Sequence, residues 1–294
     1  MADVEGLVQA RNVKGCVSRG AAGFHAKGCD HLDWGMKNRL SRIIKADTGR
    51  TVMLAVDHGY FQGPTSGLEI MEQTLAPLIE HADCLMLTRG ILRTSVPPGS
   101  EVPVVLRVSG GQSVLTELSN ENLTVDVDDC IRLNAAGMAF SIYVGAPHEH
   151  QTLTAFGDLV DAGYAAGIPV LAVTAVGREM ARDARYLALS SRIAAEMGAN
   201  IVKTYYCKDF ERVTGTCPVP VVMAGGKKLS ELDALKMAYA AVTEGAVGVD
   251  MGRNIFQSDC PVGMIKAVRA VVHYNEKPAT ALKIYKDEKK TSKT

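Results

Sequence analysis

A single cation, Lys203, lies inside the apolar, β-branched run Asn200-Ile201-Val202-Lys203-Thr204-Tyr205-Tyr206, which otherwise reads as a buried strand. An unpartnered ammonium in a low-dielectric site is unfavourable, so its proton tends to leave and the neutral amine becomes a nucleophile toward carbonyl carbon. That is Schiff-base chemistry. The plain structural alternative is a strand lysine that snorkels to water or pairs with an acid. Other polar residues end apolar runs: Asp57-His58-Gly59, Tyr143, Ala224-Gly225-Gly226-Lys227-Lys228 and Asp250-Met251-Gly252-Arg253-Asn254. Facing the amine, Asp57 could move protons as an iminium forms, although strand-end aspartates more often cap turns. Tyr143 could exchange a proton at the atom being cleaved or merely cap a core contact, and His58 could touch substrate or shape the turn. Gly225, Gly226, Gly252 and Arg253 suit a phosphate cradle, since glycines let backbone N–H groups approach an anion and a guanidinium binds it in bidentate fashion. For the glycine pair the alternative is an ordinary tight turn.

Short apolar runs recur along the chain and must position these residues: Val52 to Val56, Cys84 to Leu87, Val104 to Val108, Met138 to Val144, Val170 to Val173, Ile201 to Tyr206, Val219 to Met223 and Ala246 to Met251. Helical patterns lie between them, at 67–76, 126–133, 184–197 and 230–242, with a last helix near 262–273. Eight strand-helix units predict an α/β fold, a single (β/α)8 TIM barrel, whose active site lies where the strands end. A doubly wound sheet would require a GxGxxG turn after the first strand, and the chain reads Asp57-His58-Gly59-Tyr60-Phe61-Gln62-Gly63-Pro64 there. The expected organisation is an N-terminal arm with a short helix over residues 1–45, a barrel over 46–275, and a lysine-rich tail over 276–294 that frays.

With 32 basic residues against 32 acidic ones, no charge excess points to nucleic acid or an anionic membrane. Neither a signal peptide nor an apolar span is evident, and the seven cysteines are scattered without ligand spacing, which together suggest reduced thiols in the cytoplasm. His148-Glu149-His150 is the one cluster that could chelate a metal. Its i, i+2 spacing does not share a helix face and the third ligand would have to be His58, so no metal is expected and a solvated loop before a helix is the preferred reading. Cys207 has no paired histidine and reads as a spectator thiol.

The runs at 51–64, 201–206, 224–228 and 248–257 resemble the class I aldolases of the archaeal-type fructose-bisphosphate aldolase and deoxyribose-phosphate aldolase superfamily. From Asp33 to about Glu276 the chain is similar to a narrower family, the autoinducer-2 degradation thiolases, departing in the first thirty or so residues and at Ala146-Pro147-His148. The resemblance implies a (β/α)8 barrel, a Schiff-base lysine at Lys203, an acid/base aspartate at Asp57, a tyrosine acid/base at Tyr143 and a phosphate site at Gly225, Gly226, Gly252 and Arg253. It implies cleavage of 3-hydroxy-5-phosphonooxypentane-2,4-dione with coenzyme A as co-substrate and no bound cofactor, giving acetyl-CoA and dihydroxyacetone phosphate. It also implies a homo-oligomeric ring, a decamer built from pentamers. The alternatives are a class I aldolase acting on fructose 1,6-bisphosphate or a related phosphosugar, and a non-catalytic phosphosugar-binding barrel.

Overall fold

The computed structural model describes residues 23–175 and 181–292. The first 22 residues of the expected arm, including Cys16, lie outside the described residues. Eight parallel strands form a closed barrel: β1 (Thr51–Ala55), β2 (Cys84–Thr88), β3 (Val104–Arg107), β4 (Gly137–Ile142), β5 (Val170–Thr174), β6 (Ile201–Tyr205), β7 (Val221–Ala224) and β8 (Gly248–Met251). Each strand pairs with its sequence neighbours, and β8 closes on β1 with Thr51 opposite Gly248. That seam needs glycine: at Gly248 φ is +158° and an added Cβ would lie 1.9 Å from the Thr51 carbonyl oxygen.

The helices, in chain order, are α1 (Trp34–Ile43), α2 (Gly59–Gln62), α3 (Met71–Leu75), α4 (Arg89–Ser95), α5 (Val127–Arg132), α6 (Glu149–Ala166), α7 (Ala184–Glu196), α8 (Phe210–Thr216), α9 (Glu231–Thr243), α10 (Arg253–Phe256), α11 (Pro261–Tyr274) and α12 (Pro278–Thr291). Several start at side-chain caps of the expected type: Asp33 accepts from Met36 N at 2.8 Å, Asp183 from Tyr186 N at 2.8 Å and Ser230 from Asp233 N at 3.2 Å. The barrel strands read as continuous apolar runs because both faces are covered. On β6, Val202 packs outward into the core beneath the helices, whereas Ile201 points into the barrel. The lower interior is filled by Met53, Met86, Val105, Ala139, Leu171, Ile201 and Val222, and Met36, Leu40 and Ile43 of α1 join this cluster. Helix α1 therefore plugs the N-terminal end of the barrel.

Two expectations change. The helix read over 67–76 shrinks to α3, because Gly67 adopts φ +83° and its N–H donates to the Glu69 carboxylate at 2.7 Å, turning the chain before the helix begins. The tail expected to fray is helical almost throughout. Pro278 stands in the first turn of α12, Ala281 and Tyr285, four residues apart, are buried, and Lys266 and Glu288 pair at 2.9 Å between α11 and α12. Its lysines cover an apolar stripe rather than repel one another into solvent.

Candidate active site

Alternation along the strands sends Arg107 of β3, Ser141 of β4, Lys203 of β6 and Asp250 of β8 into the upper barrel, and Asp57 joins them just past β1. Lys203 Nζ lies 2.9 Å from Asp250 Oδ2 and 3.6 Å from Met86 Sδ, so the amine rests on the methionine floor beside a fully buried carboxylate. The pair is close but poorly aligned, and neither Asp250 oxygen has a well-directed hydrogen-bond donor. Burial raises the Asp250 carboxyl above its ordinary range against the opposing pull of Lys203, which makes it a group able to hold a proton.

Asp57 is held differently. Arg107 donates from Nε to Asp57 Oδ2 at 2.9 Å, and a second guanidinium nitrogen lies 2.8 Å from the same oxygen. Burial acts to raise the Asp57 carboxyl, but Arg107, then Lys203 and His58, overcome it and hold it at about 2. At neutral pH Asp57 is thus a fixed negative charge. His58 Nδ1 lies 4.0 Å from Asp57 Oδ1 and has no hydrogen-bond partner, and burial pushes the imidazole down to about 4 against the pull of Asp57, leaving it neutral.

Beside Arg107 stands a carboxylate that the sequence reading passed over. Glu121 is completely buried and accepts from Tyr60 at 2.5 Å, Gln112 at 2.5 Å, Ser109 at 2.7 Å and Tyr143 at 3.4 Å. Arg107 donates onward to Ser141 at 2.7 Å and Ser109 at 3.3 Å, and its guanidinium lies 5.0 Å from the Tyr60 ring centroid. Burial, with Glu121 adding to it, lifts the Tyr143 hydroxyl well above the usual phenol range, so it remains a proton donor.

The loops after β7 and β8 meet over the same space. Asn254 staples them, donating to the Gly225 carbonyl at 2.7 Å and the Lys227 carbonyl at 3.1 Å while accepting from Leu229 N at 2.8 Å. At Gly252 an added Cβ would fall 2.3 Å from the Ala55 carbonyl oxygen and 2.7 Å from His58 Cε1. Arg253 has a buried Nε without a hydrogen-bond partner.

The structure brings all the sequence-predicted residues together: Asp57, His58, Tyr143, Lys203, Gly225, Gly226, Gly252 and Arg253 line one cavity of about 280 Å³. Lys203 differs from the first expectation in having a carboxylate partner, so the acid-paired alternative and the cavity position hold at once. Arg107, Glu121, Asp250 and Asn254 received no role from the sequence. Arg107 carried the signal that marked Lys203, a lone cation in an apolar strand, whereas Glu121 comes from a polar loop with no such mark. His148-Glu149-His150 is less loop-like than expected, with Glu149 opening α6 and accepting from Gly145 N at 3.2 Å. Cys207 is a buried thiol raised to about 11 by burial and does not line the cavity.

The sequence profile of the DeoC/LacD family aldolases matches residues 51–258, from the first strand to just past the eighth. A 3-hydroxy-5-phosphonooxypentane-2,4-dione thiolase of Escherichia coli K12 is 55% identical over 290 residues, covering 98% of this chain and 100% of the relative. The protein of the same description from Salmonella typhimurium is 59% identical over 267 residues, covering 90% and 92%. Among solved structures, an archaeal fructose-1,6-bisphosphate aldolase described with its catalytic lysine covalently bound to the carbinolamine intermediate superposes with TM-score 0.74 at 24% identity, covering 81% of this chain and 99% of its own; it attests the fold. With one profile spanning every barrel strand and relatives more than half identical along nearly their full length, the chain is an enzyme that belongs to the DeoC/LacD aldolase family, on the branch that holds these thiolases.

Proposed function

We propose that the protein cleaves 3-hydroxy-5-phosphonooxypentane-2,4-dione with coenzyme A, giving acetyl-CoA and dihydroxyacetone phosphate, through an iminium on Lys203. The observation that carries this reading is an amine 2.9 Å from a buried carboxylate, in a cavity that also presents Gly225, Gly226, Gly252 and the unpartnered Arg253 Nε. Those last groups bind the substrate phosphate, which brings the neighbouring C4 ketone to Lys203. Attack by Nζ forms a carbinolamine. Asp250 takes the ammonium proton and delivers it to the departing hydroxyl, the part that the sequence alone suggested for Asp57. Asp57, fixed by Arg107, steadies the positive iminium.

The coenzyme A sulfur then bonds to C2 and the C2–C3 bond breaks. Its electron pair flows into the iminium to give an enamine, C3 takes a proton from Tyr143, whose phenolate takes up the proton that the thiol loses, and water releases dihydroxyacetone phosphate and restores the amine. The lysine supplies the electron sink, so the reading uses no resident cofactor. His58, neutral and next to Asp57, shapes the cavity wall. The family resemblance supports a homo-oligomeric ring, a decamer built from two pentamers, which light scattering tests, and the scattered thiols support action in the cytoplasm.

The test combines borohydride trapping, peptide mapping and an assay for acetyl-CoA. The expected result is an adduct on Lys203 and acetyl-CoA once coenzyme A is added. In Lys203→Ala the adduct vanishes and turnover falls at least about a thousandfold with the fold intact by circular dichroism. An adduct without acetyl-CoA would move the assignment to a phosphosugar aldolase, and no adduct would leave a binding barrel.

A further inference from the structure

A second and larger cavity, about 610 Å³, opens on the same end of the barrel above β1, β2 and β3. Its floor holds Val56 and Val125 together with Asp57 and Arg107, all buried, and its rim holds Arg89 and Thr124, both exposed. Asp57, Tyr60 and Arg107 also line the Lys203 cavity, so these three side chains form the partition between the two spaces. The lysine cavity, at about 280 Å³, falls just below the roughly 300–1,000 Å³ of drug-sized ligand sites, enough for one small phosphorylated ketone and not for a second, longer substrate.

We propose that the larger cavity receives the pantetheine arm of coenzyme A and delivers its thiol past Tyr60 to the substrate held on Lys203. This rests on the thiolase reading, which requires a second substrate to reach C2 while the first is tethered. The cavity has the needed character: besides its valines it is walled by Leu68, Met71 and Ile91, with polar groups confined mainly to the floor and rim, as suits a long chain of methylenes and two amides. Arg89 at the rim is already engaged by Asp129 at 3.1 Å, so recognition falls on the arm rather than on the nucleotide. In the transfer the S–C2 bond forms, the C2–C3 bond breaks into the iminium, and the thiol proton restores the one that Tyr143 gives to C3.

The test fills the cavity away from its floor. Ile91 is half-buried and Thr124 exposed, so Ile91→Trp and Thr124→Trp give two independent fillings, and one suffices if the other does not fold. For each, the rate of borohydride-trapped adduct on Lys203 is measured with the dione alone, and KM for coenzyme A is measured in the acetyl-CoA assay. The expected result is unchanged trapping with KM for coenzyme A raised about tenfold or more. Unchanged KM in a variant that still traps and turns over overturns the cavity assignment while leaving the thiolase reading intact. Unaltered protein that traps the dione but forms no acetyl-CoA overturns the thiolase reading and this inference with it.

Discussion

At the scale of single residues the site contains two buried ion pairs, Lys203 with Asp250 and Arg107 with Asp57, and they do different things. Asp250 is the one placed to carry a proton. Asp250→Asn is therefore expected to slow borohydride-trappable iminium formation by about 10²–10⁴, while Lys203 remains the residue modified, and stopped-flow trapping measures this. His58 gives a pH prediction. Its folded value of about 4 lies below its ordinary 6.5, so the unfolded chain binds more protons between those limits and stability drops as pH falls from 6.5 toward 4. The contribution is at most about 3 kcal/mol. Urea unfolding at pH 7 and pH 5 should show the loss in the unaltered protein and less of it in His58→Gln; equal losses would remove His58 as the cause. Much of this site was legible. Lys203 stood out as a charge in an apolar strand, and Arg107 in Val104-Val105-Leu106-Arg107-Val108 carries the same mark. Glu121 could not, because only the short antiparallel pairing of Ser109–Gly110 with Asn122–Leu123 folds its loop over the barrel.

At the scale of elements, the loops after β7 and β8, proposed to hold the phosphate, depend on fit rather than on sequence pattern. Gly252→Ala would set a Cβ 2.3 Å from a backbone oxygen that cannot rotate away, so the turn after β8 must shift. KM for the phosphorylated dione is expected to rise about tenfold or more, while trapping of an unphosphorylated diketone on Lys203 changes little; equal losses for both would place the damage at the lysine. The eight strands were readable because a sheet covered on both faces writes itself as runs of valine, leucine, isoleucine and methionine. The helices were readable where caps and periodicity agreed, as at α7 and α9, and misread where a glycine with positive φ interrupts the pattern at Gly67. The docking of α12 was hidden by its lysines, although Ala281 and Tyr285 keep helical spacing beneath them.

At the scale of the whole molecule, the barrel is fastened below and active above. Asp83 joins β1 to α11, accepting from Val52 N at 2.7 Å, Arg269 at 2.6 Å and His273 at 2.6 Å. Removing that carboxylate leaves the buried Val52 N–H and His273 Nε2 unmatched and Arg269 with the His81 carbonyl alone, so Asp83→Ala is expected to cost about 3–5 kcal/mol in denaturant unfolding with Lys203 still trappable at low temperature. Fold class was legible at this scale because eight strand-helix units leave few other closures. The plug formed by α1 was legible only as an amphipathic helix, since its partner is the mouth of a barrel that no local pattern describes. The plug has a kinetic consequence. With α1 and the methionines sealing the lower end, the lysine cavity is a blind well, and traffic through it obeys an order. On the proposed reaction the half of the substrate tethered to Lys203 is the last to leave, so acetyl-CoA would depart first and dihydroxyacetone phosphate second. In product-inhibition kinetics dihydroxyacetone phosphate is expected to compete with the dione, and acetyl-CoA to be noncompetitive against it; the reverse pattern would mean that the tethered half leaves before acetyl-CoA.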